Sequence, residues 1–222
     1  MRINTAIGGI NLVFDTGNYY FSPKNIDAGT LQMLNSVEIY ETDKVLDLGC
    51  GYGVVGVYAA KKIGGGNVVM SDVLPEAVEL SKKNLELNGI TDVRVIESDG
   101  LKNIGDGDFT LILSNPPYHT DFSVAKGFIE DGFKKLALGG RLVLVTKRCD
   151  WYKNKITSVF GGVKVIEAGD YFVFIGEKRK NHVEKAVKQK NTLSKKLQRK
   201  YGKRFGGTGE KPEETCCGKE IK

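Results

Sequence analysis

No stretch of this sequence approaches the roughly 18 consecutive apolar residues of a membrane-spanning helix, so a membrane partner is not expected. Cysteine is scarce and poorly spaced for metal or disulfide chemistry. The four are Cys50, Cys149 and the adjacent pair Cys216-Cys217. No C-x-x-C spacing occurs, which argues against a zinc site and a disulfide framework. The opening Met1-Arg-Ile-Asn-Thr5 has no apolar core of a signal peptide. A cytoplasmic protein without a metal is expected. Histidine (two) and tryptophan (one) are also rare, which draws attention to His119 and Trp151.

Apolar residues make up 41% of the 222, enough for one α/β domain with an appendage. The net charge of +6 is unevenly spread. From Glu177 to Lys222 there are 15 Lys/Arg against 6 Asp/Glu, which leaves the rest mildly acidic. Three regions are expected: a hairpin and helix over 1–40, a catalytic domain over 41–179 and a basic tail over 180–222. Within the tail, Leu193, Leu197, Tyr201 and Phe205 recur every four residues and allow an amphipathic helix. The tail's lysines and arginines suit phosphate contacts on nucleic acid. A solvated extension fits them as well.

The densest signal is Val45-Leu-Asp-Leu-Gly-Cys-Gly-Tyr-Gly-Val-Val-Gly56. An apolar strand meets a glycine cluster and then a helix carrying Val57, Tyr58, Ala59 and Ile63, the first half of a nucleotide-binding βαβ unit. Gly51-x-Gly53-x-x-Gly56 satisfies the dinucleotide fingerprint, with Asp72 at the ribose-binding offset. Asp47, two positions before Gly49, discriminates between ligands. A carboxylate there would repel a pyrophosphate, whereas S-adenosylmethionine carries an ammonium and a sulfonium that favour it. The loop therefore favours S-adenosylmethionine, with a nicotinamide dinucleotide as the competing ligand. Cofactor contacts are expected from Asp47, Gly49, Cys50, Gly51 and Gly53, from Asp72 and Val73 after the next strand, and from Asp99 and Gly100 after the third.

In chain order, 3–14 reads as a β-hairpin turning at Gly8-Gly9, and Asp27-Ala-Gly-Thr30 opens a helix carrying Leu31, Met33, Leu34 and Val37, with Asp27 placed as its N-cap. Tyr19, Tyr20 and Phe21 lie between them, as hairpin packing or as a lip over the site. Strands follow at 44–48, 68–72, 93–97, 109–114 and 141–146, alternating with helices. A helix with Phe128, Ile129, Phe133, Leu136 and Leu138 is expected to stop at Gly139-Gly140. Residues 147–152 read as an exit loop, and 163–166 with 171–175 as an antiparallel hairpin. This alternation predicts an α/β fold, a mostly parallel sheet covered on both faces.

Asn115-Pro-Pro-Tyr118 directly after the fourth strand is a second signal. Two prolines fix φ and offer carbonyls without N–H donors. The Asn115 oxygen and the Pro116 carbonyl can then grip one planar NH2 group, and Pro117 stiffens the loop. Holding both hydrogens localises the nitrogen lone pair, while Tyr118 can stack on the ring, worth about 1–3 kcal/mol per base. His119 reads as a base or, more simply, as a group that holds the loop.

Taken together, Phe21-Ser-Pro, Ile26-Asp-Ala-Gly-Thr30, Asp47-Leu-Gly-Cys-Gly-Tyr-Gly53, Asp72 and Ser114-Asn-Pro-Pro-Tyr-His119 resemble the small-domain methyltransferase family. Its best-known members are bacterial guanine-N2 methyltransferases of small-subunit ribosomal RNA. The resemblance spans roughly residues 10–178. It implies a Rossmann-like class I fold, a seven-stranded sheet with an antiparallel last strand, and S-adenosylmethionine as cofactor. It also implies catalytic roles for Asn115, Pro116, Pro117 and Tyr118, with Asn115 also near the cofactor. Phe21, His119, Lys147 and Trp151 become candidate contacts to a ribosomal RNA substrate. Tyr118 stands where the guanine enzymes have Phe. Tyr is common in relatives acting on adenine N6 or protein glutamine N5, so those targets stay open beside guanine N2. A non-catalytic RNA-binding factor with this fold also stays open.

Overall fold

The computed structural model describes residues 1–16, 25–117 and 122–180. Phe21, Tyr118, His119 and the tail beyond Lys180 lie outside the described residues. So do Tyr19, Tyr20 and the expected tail helix.

The chain begins with the antiparallel pair β1 (Arg2–Ile7) and β2 (Ile10–Asp15). Gly8 and Gly9 turn it with φ of 55° and 81°, the left-handed pair that a two-residue hairpin turn demands. Next come α1 (Ala28–Ser36), β3 (Val45–Leu48), α2 (Val54–Ile63), β4 (Val68–Asp72), α3 (Pro75–Leu87) and β5 (Arg94–Glu97). The chain continues through β6 (Phe109–Ser114), α4 (Phe122–Lys135), β7 (Leu136–Thr146), α5 (Asp150–Phe160), β8 (Lys164–Ala168) and β9 (Tyr171–Glu177).

Seven strands form one sheet in the order β5-β4-β3-β6-β7-β9-β8. β9 runs antiparallel to both neighbours, and the other described pairings in the sheet are parallel. This is the Rossmann-like α/β architecture expected. Successive strands leave β3 on one side toward β5 and return on the other through β6. The switch point therefore lies between the carboxyl ends of β3 and β6, where open α/β sheets bind ligands. The central strands β3 and β6 are buried along nearly their whole length, so their apolar runs show no alternation.

The hairpin is fastened to α3 by side chains. Asn84 accepts from Asp15 N (2.8 Å) and donates to Asp15 O (2.9 Å) and Tyr52 O (2.8 Å). One turn on, Asn88 accepts from Val13 N (3.0 Å) and donates to Val13 O (2.7 Å). Two asparagines at i and i+4 share a helix face and here replace the missing neighbour of strand β2. Asn84 thereby ties the hairpin to the glycine loop as well.

Two elements differ from expectation. Helix α4 ends at Lys135 rather than at Gly139-Gly140, and Leu136 already belongs to β7, opposite Phe109. The carbonyl of Leu136 is claimed by the buried ammonium of Lys178 (2.7 Å), and Gly139 N donates to Lys178 O (2.8 Å). Those bonds leave nothing for a further helical turn, and Leu138, expected in the core, is 65% exposed. The second half of the expected exit loop over 147–152 is helix: α5 begins at Asp150 and buries Tyr152, Ile156 and Phe160. Among the described residues no helix is long and apolar enough to cross a membrane.

Candidate active site at the switch point

The glycine loop leaves β3 with Gly49 at φ 74°, Gly51 at 57° and Gly53 at 94°. These left-handed values cost a residue with Cβ roughly 1–2 kcal/mol each. At Gly53 space also forbids a side chain, since a Cβ would lie 2.9 Å from Met70 Cε and 3.0 Å from Ser81 Oγ. At Gly51 a Cβ would meet nothing within 4 Å, so that backbone faces open space. Asp72 shapes the loop: its Oδ2 accepts from Gly51 N (2.8 Å) and its Oδ1 from Leu74 N (3.0 Å). Each oxygen keeps a further lone pair.

Asp47 is 2% exposed and accepts from Gly56 N at 2.8 Å. Burial pushes its carboxyl up to about 7; the Gly56 bond works against the shift and the charge of Asp72 adds to it. A carboxylate so situated is poorly solvated and gains from a nearby cation. Burial also raises the Cys50 thiol, with Asp47 contributing, and this thiol lies 3.4 Å from Ser81 Oγ. Cys50 is therefore a wall residue rather than a nucleophile.

Asn115 leaves the end of β6 one residue after Ser114, whose hydroxyl donates to Leu48 O at 2.6 Å and locks β6 against β3. The Asn115 amide nitrogen donates to Asp27 Oδ1 (2.7 Å) and Thr30 Oγ1 (3.0 Å). A carboxylate only accepts, so this pairing fixes which end of the amide is nitrogen. Asn115 Oδ1 is left buried with no partner. Such an atom costs about 1–3 kcal/mol, and its presence in a cavity calls for a donor. Asp27 caps α1 as expected, accepting from Thr30 N at 2.9 Å. The same oxygen also accepts from Asn115, a bond that nothing in the local sequence indicates.

Asp47, Gly49, Cys50, Gly51, Asn115, Pro116 and Pro117 line one cavity of about 180 Å³ together with Asp27, Thr30 and Tyr52. The two sequence signals thus face the same space. Tyr52 also brings a buried hydroxyl without a partner, and burial lifts its pKa to about 12. Gly53 lies behind the cavity as the N-cap of α2. Val73 is 56% exposed after β4, and Asp99 pairs with Lys102 at 2.5 Å after β5. Phe128 bridges the loops, within 3.7 Å of a Cβ placed on Gly49 and 3.6 Å of one on Gly100. Lys147 is exposed at the end of β7, and Trp151, in α5 rather than a loop, stacks on Phe122 at 4.2 Å. None of these lines the cavity.

The methyltransferase small domain model matches residues 11–175, from within β2 to within β9. The chain belongs to this family. Among its relatives in the family is the ribosomal RNA small subunit methyltransferase C of Pseudoalteromonas atlantica, 35% identical over 150 residues, which are 66% of this chain and 43% of that protein. The Bacillus subtilis protein YbxB is 31% identical over 76% of this chain and 87% of its own length. A solved family structure, the T. thermophilus 16S rRNA N2 methyltransferase RsmC in complex with AdoMet and guanosine, superposes with a TM-score of 0.73. It is 25% identical, over 81% of this chain and 50% of that one. The chain thus spans about half the length of the methyltransferase C relatives, but most of YbxB.

Proposed function

We propose that this methyltransferase transfers a methyl group from S-adenosylmethionine to an exocyclic amino nitrogen, guanine N2 of ribosomal RNA. The observation that carries the reading is the shared cavity: a buried carboxylate on one wall and an unpartnered amide oxygen on the other. S-adenosylmethionine, when bound, supplies an electrophilic methyl group on a sulfonium and a cationic amino-acid end. The residues present fit it. Asp47 with the backbone of Gly49, Cys50 and Gly51 would hold the amino-acid end, and the Tyr52 hydroxyl offers its carboxylate a donor. Asp72 would take the ribose, and Asp99, with Val73 and Gly100 beside it, the adenine.

Asn115 Oδ1 and the Pro116 carbonyl accept the two hydrogens of the target amine, and Pro117 keeps that carbonyl in place. With both hydrogens held, the nitrogen lone pair is directed out of the ring plane. Alignment of the two reactants accounts for much of the rate. The methylated nitrogen then sheds its proton to water, so no strong base is required. Tyr118 would stack on the base, with Phe21, His119, Lys147 and Trp151 around it. The basic segment after Lys180 would add phosphate contacts.

The test is a pair of measurements. Calorimetry should find S-adenosylmethionine bound more tightly than NAD. Label from methyl-labelled donor should enter small-subunit ribosomal RNA and fall about 10²–10³-fold in Asn115→Ala, the usual loss for one transition-state hydrogen-bonding group. Tighter NAD binding, or transfer to protein glutamine instead of RNA, would overturn the proposal.

A further inference from the structure

Five arginines lie among the described residues, and four meet carboxylates: Arg2 with Asp15, Arg94 with Asp106, Arg141 with Asp43 and Arg179 with Glu177. Arg148 does not. Its guanidinium lies 5.0 Å over the ring of Phe122, which is itself stacked on Trp151 at 4.2 Å with 17° between the planes. Next to it, Lys147 sits 4.9 Å over the ring of Tyr171. Both cations are exposed, and among the described residues neither has an acidic partner. A ring holds a guanidinium by its face and leaves the N–H edge free, and that edge matches a phosphate. The stack also limits the motion of Arg148, so less entropy is lost on binding.

Position gives the pair a purpose. β6 and β7 are parallel neighbours, with Ser114 opposite Leu144. The end of β7 therefore emerges beside the strand that delivers Asn115. Tyr171, under Lys147, packs against Gly29 of α1, where a Cβ would clash at 2.7 Å. The same helix start holds Asn115 through Asp27 and Thr30. We infer that Lys147 and Arg148, set on the Tyr171 and Phe122–Trp151 rings, form a phosphate-binding rim for the RNA strand that presents the target amine. The inference rests on the RNA reading of the site and adds Arg148 as its anchor.

The experiment measures binding of the full chain to an unstructured RNA oligonucleotide across a salt series. In Lys147→Gln/Arg148→Gln the slope of log affinity against log salt should shrink by about 1.4, two contacts at about 0.7 each for single strands. Arg148→Lys should keep the slope but bind more weakly, because lysine lacks the planar fork. Melting temperature and S-adenosylmethionine affinity serve as controls for folding. If the parent methylates RNA and the double variant keeps the parental slope and affinity, the rim is wrong while the site reading stands. If the parent neither binds nor methylates RNA, the site reading fails with it. Equal competition by an acidic peptide of matched charge would point to a protein partner and overturn the inference.

Discussion

The two walls of the cavity are built in opposite ways. The wall around Asp47 is made from neighbours in sequence, a strand end, three left-handed glycines and the first turn of α2, with Asp72 reaching across one strand to hold Gly51. The wall around Asn115 is made from distant segments. Its side chain is held by Asp27 and Thr30, 88 and 85 residues away. A local wall is shaped by backbone conformation and tolerates changes elsewhere. A long-range wall depends on α1 docking in one position, so its aim can be lost while the fold survives.

That difference can be broken experimentally, first on the distant wall. Asp27→Ala should lower the methyl-transfer rate by about 10–100-fold, because a hydrogen bond to a charged group contributes about 1.5–3 kcal/mol. Loss of the α1 cap should lower stability by only about 1 kcal/mol. Single-turnover rates beside thermal melts check this, and a fall in rate that merely tracks a fall in melting temperature would contradict the positioning role. Thr30→Val removes the neutral bond from Asn115 and the long hydroxyl bond to Asp27 Oδ1 (3.5 Å) while keeping the shape, so a loss of about 2–10-fold is expected.

On the local wall the effect should be on affinity, with the opposite sign for stability. Asp47→Asn should weaken S-adenosylmethionine binding yet raise the melting temperature of the free protein near pH 8. The reason is that the raised pKa marks a charge the folded chain holds at a cost. The carboxyl titrates near 3.8 when exposed and at about 7 when buried. Between those values the folded state binds more protons. Parental stability relative to Asp47→Asn should therefore decline as pH rises from about 4 to 7 and level off above. Melts of both proteins from pH 5 to 8 test the sign. Over the same range donor binding should strengthen, since the cationic ligand needs Asp47 ionised. The smallest effect on the site is expected from Lys178→Met. It leaves the Leu136 carbonyl without its partner, a cost of about 1–3 kcal/mol, and should leave donor affinity unchanged.

Legibility in the sequence follows the same division. The β3–loop–α2 unit, the Gly8-Gly9 hairpin and the Asp27 cap rest on contacts within a few residues and were readable. Strand–helix alternation made the parallel, doubly covered sheet readable as well, whereas the seven strands with an antiparallel last one rested on the family resemblance. The α4–β7 boundary is not legible locally, because a lysine 42 residues onward, Lys178, decides where helix bonding stops. Helix α5 was within reach: Tyr152, Ile156 and Phe160 recur every four residues before Gly161, which ends it in a left-handed conformation. The bond from Asn115 to Asp27 and the pairing of Asn84 and Asn88 with strand β2 left no local trace. Each is a polar side chain satisfying a group that only the folded chain brings near. Arg148 has no local signature for the same reason: a charge without an acidic partner among the described residues is visible only when the partners of the others are known.

The most direct measurement is mass spectrometry of nucleosides from small-subunit ribosomal RNA, taken from unmethylated subunits incubated with the purified chain and isotopically labelled S-adenosylmethionine. The account predicts labelled N2-methylguanosine with the parent and its near-absence with Asn115→Ala. Label on adenine, on a protein glutamine or on nothing at all would contradict it.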